Sequence, residues 1–555
     1  MKHLKVVLLV AKKKIKNKKN FKFPKDKIID FFKKLSLKNY LNIVVVLLLI
    51  ISSTYIFFQY KMIIFPDSIG YYHNAYIIMG IKNLSEWLTV RGFGFPLIIT
   101  FWIKLFGDTS LGMLIGSYTA YLTMIIIIGY LIQKYIKLNE INNKLLYFFL
   151  YIIIIVFNPL IIGYNHTLLT EAVMPAIYFA EVLLCLKWYE STLRQNKKSI
   201  IILNIIFILL GILIWFIKQP FIVAYIVGLL ITAICSAIKN KSWKILAQKL
   251  LTILICLVTL FICLKIWNSF ISNNISTQNS PSDLNNKYLN NKFISGLNVF
   301  YYGVSKDTFC NTNYIEKADF SNKEKEKIYL LIEEESENWC SYIKVFEIKE
   351  LNGAHVATEI LYSNNGNFNL ESRLSFLVKN VIKHPTYVLR SYLYNYLAIA
   401  DIQTTDYTRG YASTGVIDSN VVGENLSNGM HTFYNDRTTT INNDSLIEKF
   451  YDTTATKNEN LTQLLFINNS LCFYLYKLLV VLALPIFIYS LIKYIKYKNS
   501  TYFIILLTSV MCFSNAIFNV FFAGIIDRYV YPTYTLMLLC LIILFMEKRI
   551  NEKVK

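Results

Sequence analysis

Residues 200–217 read IIILNIIFILLGILIWFI, residues 221–238 read FIVAYIVGLLITAICSAI, and only Lys218, Gln219 and Pro220 separate them. A helix needs roughly 20 apolar residues to cross the hydrocarbon core of a bilayer. Neither run alternates apolar and polar residues as a half-buried strand or a surface helix would, so each reads as a membrane span. Arg194, Lys197 and Lys198 stand before the first run, and Lys239, Lys241 and Lys244 follow the second. The basic ends therefore share one side of the membrane, and the Lys-Gln-Pro turn lies on the other.

The same reading extends outward from this pair. Comparable runs occupy 41–60, 111–132, 145–163, 168–188, 250–268, 471–492, 501–520 and 529–546. Together they predict an all-α polytopic membrane protein with about ten transmembrane helices, as expected of a 555-residue chain that is 55% hydrophobic. With the N-terminus inside, the inner connections carry Lys134 and Lys137, then the two basic groups above, then Lys493, Lys496 and Lys498, and finally Lys548 and Arg549. That bias predicts cytoplasmic N- and C-termini, in what is expected to be a bacterial plasma membrane. The expected layout is a basic cytoplasmic N-terminus (1–40), a seven-span module (41–268), an extracytoplasmic segment (269–462), a three-span module (463–546) and a basic tail (547–555). No cleavable signal peptide is expected, because no small-residue cleavage site follows the first apolar run.

The formal charge of +22 raises the question of nucleic acid. Residues 1–38 hold fourteen Lys against Asp26 and Asp30, whereas 269–462 has 17 Lys and Arg against 23 Asp and Glu. Basic charge that follows topology is explained by the positive-inside bias and by anionic lipid, and no nucleic-acid partner is expected. Most of the nine Cys lie in apolar runs as small hydrophobes. Cys310 and Cys340 form the one pair in the polar segment, either as a disulfide or as two free thiols. No metal-ligand spacing appears, so no metal site is assigned and a divalent requirement stays open.

Two segments face the outer side on this topology. The first, 61–110, contains an apolar stretch, Phe95–Phe106, too short to span and holding Lys104; it reads as a surface helix. The second, 269–462, includes an Asn-rich linker at 273–291 and an amphipathic stretch near 373–400. Ionisable groups are costly in a bilayer, so their places are informative. Asp67, Glu171, Lys218 and Arg528 stand at outer ends of spans or in the first outer loop, where Arg91 and His73 join them.

Such a set suits sugar transfer from a polyprenyl phosphate. The leaving phosphate needs cations rather than a general acid, and the acceptor hydroxyl needs a carboxylate base. Glycoside hydrolysis would also require a second carboxyl to protonate the leaving oxygen. Short motifs in matching order agree: Pro66-Asp67-Ser68-Ile69-Gly70-Tyr71-Tyr72, Arg91-Gly-Phe-Gly-Phe-Pro96, Leu168-Leu-Thr-Glu171-Ala172, His384-Pro-Thr-Tyr387 and Asp527-Arg528-Tyr529 with Pro532. In these the chain resembles GT-C glycosyltransferases, in the branch of protein O-mannosyltransferases and lipid A aminoarabinose transferases. The resemblance implies a GT-C-like fold and an inverting transferase using a polyprenyl-phosphate sugar donor, with a glycan, lipid or protein acceptor. It makes Asp67 the catalytic carboxylate. The acidic pair common in protein O-mannosyltransferases is missing at this point, which weakens a protein acceptor.

Each residue also has a plainer reading. Asp67 could merely complement a helix start, although Pro66 would set Asp67, Tyr71 and Asn74 on one face as acceptor or sugar contacts. Glu171 could orient the acceptor, assist the base or only cap a helix. Lys218 could bind donor phosphate or snorkel, and Arg528 offers a bidentate phosphate grip. Arg91 could hold phosphate or anchor its loop; His73 could join Tyr71 and Asn74 as an acceptor or sugar contact, although it and His384 read more plainly as structural. Glu181 lies deeper in its span with no assigned role. The rival functions are a glycan polymerase or ligase using a lipid diphosphate, and a lipid or solute transporter.

Overall fold

A computed structural model describes residues 50–51, 53–55, 57–58, 62, 66–88, 92–135, 150–194, 196–274, 340–343, 348–351, 459–522 and 527–552. The chain divides into two units, Met1–Ile56 and Phe57–Lys555. In the first, residues 50–51 and 53–55 are helical, and the Ser53 hydroxyl donates back to the Ile50 carbonyl at 3.0 Å.

Among the described residues, the regular elements of the second unit are helices and one short strand pair. Its helices are α1 (Pro66–Ile78), α2 (Gly94–Phe106), α3 (Ser110–Tyr135), α4 (Pro159–Asn165), α5 (Met174–Leu193) and α6 (Lys197–Ile217). They continue as α7 (Ile222–Asn240), α8 (Trp243–Asn274), α9 (Glu459–Tyr497), α10 (Ser500–Phe522) and α11 (Asp527–Glu552). Strands β1 (Cys340–Ile343) and β2 (Ile348–Leu351) pair antiparallel, with Cys340 opposite Leu351.

Among the described residues, six helices are long and apolar enough to cross a membrane: Ser110–Ile132, Lys197–Ile217, Gln219–Asn240, Trp243–Phe270, Leu475–Tyr497 and Ser500–Asn519. They coincide with six of the ten predicted runs. The apolar surface of α6 and α8, including Ile201, Ile205, Leu209, Leu254, Phe261 and Ile266, is exposed. Apolar side chains in continuous display on long helices are what a lipid environment accommodates.

The remaining four runs differ in instructive ways. Run 41–60 lies largely outside the described residues. Run 145–163 is interrupted: a π-turn at Ile152–Val156 leads to Asn158, whose side chain caps the short α4 by accepting from the Leu160 and Ile161 amides. Run 168–188 is shifted, because a turn at Thr170–Ala172 precedes a 20-residue α5. Glu181, Lys187 and Glu190 set α5 apart from the purely apolar helices. It packs against α3, α6, α7, α10 and α11, so protein rather than lipid surrounds much of it. Run 529–546 becomes a shorter apolar stretch, Val530–Phe545, within α11.

Two hairpins are tight because a lysine closes each one. Lys241 after α7 and Lys498 after α9 adopt left-handed backbone, with φ of 50° and 49°, a common way to end a helix, though usually with Gly. Helices α8 and α9 also reach into the polar segment at both ends, to Asn274 and back to Glu459. The amphipathic stretch near 373–400, Cys310 and His384 lie outside the described residues.

Candidate functional site

Glu171 and Lys218, 47 residues apart, meet at the junction of α5, α6 and α7. Leu169 is extended, the Thr170–Ala172 turn follows, and Pro175 opens α5 at a position where its missing N–H costs nothing. Lys218 is the extended cap of α6, and Pro220 sits in the next turn, Gln219–Phe221, which leads into α7. Lys218 Nζ donates to Glu171 Oε1 at 2.7 Å, and the Thr170 hydroxyl donates to Oε2 at 2.8 Å. The carboxylate side chain is 1% exposed and the lysine 14%. Tyr178, on the first turns of α5, donates to the Phe221 carbonyl at 2.8 Å and ties the lysine turn to the glutamate helix.

The glycine-rich loop sits directly on this junction. A Cβ built on Gly92 would lie 2.4 Å from the Phe216 carbonyl oxygen, and one on Gly94 would lie 2.6 Å from the Ile217 amide nitrogen. Between them, Phe93 packs on Phe216 at 4.1 Å and on Trp267 at 4.7 Å. The Gly-Phe-Gly pattern is thus a close backbone approach to the end of α6, one residue short of Lys218. Gly94→Ala is expected to destabilise the protein by about 1–3 kcal/mol, because backbone atoms cannot swing aside as a side chain could. Thermal unfolding in detergent checks this, and an unchanged midpoint would contradict the close approach.

The start of α11 closes a further side. Tyr531 stacks on Tyr164 at 3.8 Å, and α11 packs against the Thr170–Ala172 turn. Arg528 is three residues before Tyr531, so its backbone enters the same neighbourhood. The side chains of Asp67 and Arg528, and all of Arg91, lie outside the described residues.

The first loop is held by the residues expected to touch sugar. Tyr71 meets Phe95 edge-on at 5.0 Å. The Asn74 amide donates to the Leu88 carbonyl and accepts from the Leu88 amide, both at 3.0 Å. His73 Nε2 lies 3.0 Å from the Glu86 carbonyl, and Lys82 Nζ lies 3.1 Å from Nδ1. Burial, followed by the charge on Lys82, holds the His73 pKa below the usual histidine range. A neutral ring that donates through Nε2 and accepts through Nδ1 satisfies both contacts.

Two residues escaped the sequence reading. Asp108 accepts from the hydroxyls of Tyr72 and Tyr76 and so fastens α1 to the corner after α2. Burial, with the nearby Asp108 hydrogen bond next, raises the Tyr72 hydroxyl well above the usual tyrosine range. His166 stands after α4 with Nδ1 2.7 Å from the Ile162 carbonyl and Nε2 2.7 Å from the Phe57 carbonyl. Burial pushes it down to about 4. Neither residue falls in a periodic pattern, and no spacing links either to its partners.

Among the described residues, no group of three His, Cys, Asp or Glu is placed to hold a metal ion. No protein-family model, curated protein or solved structure matches the chain.

Proposed function

We propose that this protein is a membrane glycosyltransferase, with the ten-span, GT-C-like topology and inside termini expected from its sequence. It transfers a sugar from a polyprenyl-phosphate donor to an acceptor hydroxyl on the extracytoplasmic side. The observation that carries this reading is the nearly closed Glu171–Lys218 pair, set where helix ends, the glycine loop and the start of α11 converge. A cation held by one carboxylate can be taken over by a phosphate, which offers more acceptor oxygens.

In the reaction the acceptor oxygen attacks the anomeric carbon and the carbon–oxygen bond to phosphate breaks. The electron pair leaves with the polyprenyl phosphate, and the hydroxyl proton passes to Asp67. Lys218, Arg528 and Arg91 stabilise the departing phosphate, while Glu171 sets the position of Lys218 and orients the acceptor. Tyr71, His73 and Asn74 support α1, whose first turn carries Asp67. A lipid or solute transporter is the competing reading, and the buried Glu181 favours it.

Reconstitution in liposomes with polyprenyl-phosphate sugars separates the two. Transfer predicts a covalent glycosyl product and free polyprenyl phosphate by mass spectrometry. Movement of substrate across the bilayer with no covalent product would replace the enzyme with a transporter.

A further inference from the structure

Glu181 is the one ionisable side chain on α5 that is both fully buried and without any hydrogen-bonding partner among the described residues. It is 0% exposed, and neither Oε1 nor Oε2 has a hydrogen-bond partner. Its carboxyl rests on α7 at Gly228, where an added Cβ would come 2.6 Å from Oε1 and 3.2 Å from the Met511 sulfur of α10. Three helices thus close around it, and the contact admits nothing larger than glycine.

The titratable groups near it are Tyr178 and Cys185 on its own helix and Tyr225 on α7. Tyr178 donates to the Phe221 carbonyl and Tyr225 to the Phe207 carbonyl, so neither hydroxyl proton serves Glu181. The buried Lys249 of α8 is turned to Trp188, with Nζ 3.8 Å from the ring centre. Met511, from α10, brings a thioether and no charge. A bare carboxylate in such surroundings would cost far more than a neutral carboxyl, and a hard metal cation would need several oxygen ligands. The ligand this chemistry suits is a proton.

We propose that Glu181 is a proton-binding site inside the helix bundle, occupied when α5 and α7 are packed at Gly228 and emptied only when those helices part. Its place gives the proton leverage. Glu181 lies ten residues beyond Glu171 on the α5 side, and Gly228 lies ten residues beyond Lys218 on the α7 side. Both are roughly 15 Å from the ion pair by helical rise. The helices that the proton keeps together are those that follow the turns at which that pair is made. The inference does not depend on the transferase reading.

The test is the pH dependence of thermal unfolding of the whole purified protein in proteoliposomes, compared with Glu181→Gln. The native form holds a proton that an exposed carboxyl gives up above about pH 4.3, so the unfolding temperature should decline with rising pH and Glu181→Gln should flatten that decline. Glu181→Leu, which likewise holds no proton, should give the same flattened profile. A pH dependence identical in these variants and the unaltered protein would overturn the proposal.

Discussion

Asp67→Asn is expected to abolish sugar transfer while the protein inserts and unfolds as before. Loss of a general base costs about 10²–10⁴-fold in rate. Asn keeps the shape of Asp and can still accept a hydrogen bond at a helix start, but it cannot take the acceptor's proton. The described residues of the loop hold it through other contacts. Tyr72 and Tyr76 hold α1 to Asp108, Tyr71 packs on Phe95, and Asn74 grips Leu88. The contrasting substitution is Asp108→Asn, which exchanges a charged acceptor for a neutral one under two tyrosine hydroxyls. It should lower stability in proportion to activity, as a structural residue does. Initial transfer rates from a polyprenyl-phosphate sugar, measured beside unfolding midpoints, separate the two behaviours. Undiminished transfer by Asp67→Asn would remove the base, and with it the assigned role of the first loop.

How far the sequence carried depended on which physical demand shaped each segment. Helices long enough to cross a bilayer must be apolar along their length whether lipid or protein covers them, so α6, α7 and α10 were legible as unbroken runs. Helix α5 starts later than its apolar run, and packing by five neighbours permits the buried Glu181. The basic connections were plain, but the left-handed turns at Lys241 and Lys498 were not, since lysine carries no preference for that backbone. In the candidate site, Glu171 and Lys218 stood out singly because each is a charge at a span end. Their pairing is a tertiary contact that no spacing encodes. The close approach at Gly92 and Gly94 was likewise hidden, although the two glycines marked the loop as unusual.

Lys218→Met is expected to destabilise the protein by about 3–5 kcal/mol, because it leaves the 1%-exposed Glu171 carboxylate buried without its cation. Thr170 still donates a hydrogen bond to the carboxylate, which does not replace a full positive charge. The double variant Lys218→Met, Glu171→Gln removes the orphaned charge and should recover most of the loss, since replacing both members of a buried pair is often nearly neutral. Recovery of the fold should not bring recovery of function. Without Lys218 the donor phosphate loses a cation, so transfer stays depressed in the double variant while its unfolding midpoint returns. A lysine that merely snorkels would behave otherwise: its removal would cost little, and the two substitutions would add independently. The double-mutant cycle, read once by thermal unfolding and once by transfer rate, therefore distinguishes a cation that only neutralises Glu171 from one that also serves the phosphate. If activity returns together with stability, the pair is a structural clasp and phosphate binding must be sought at Arg528 and Arg91.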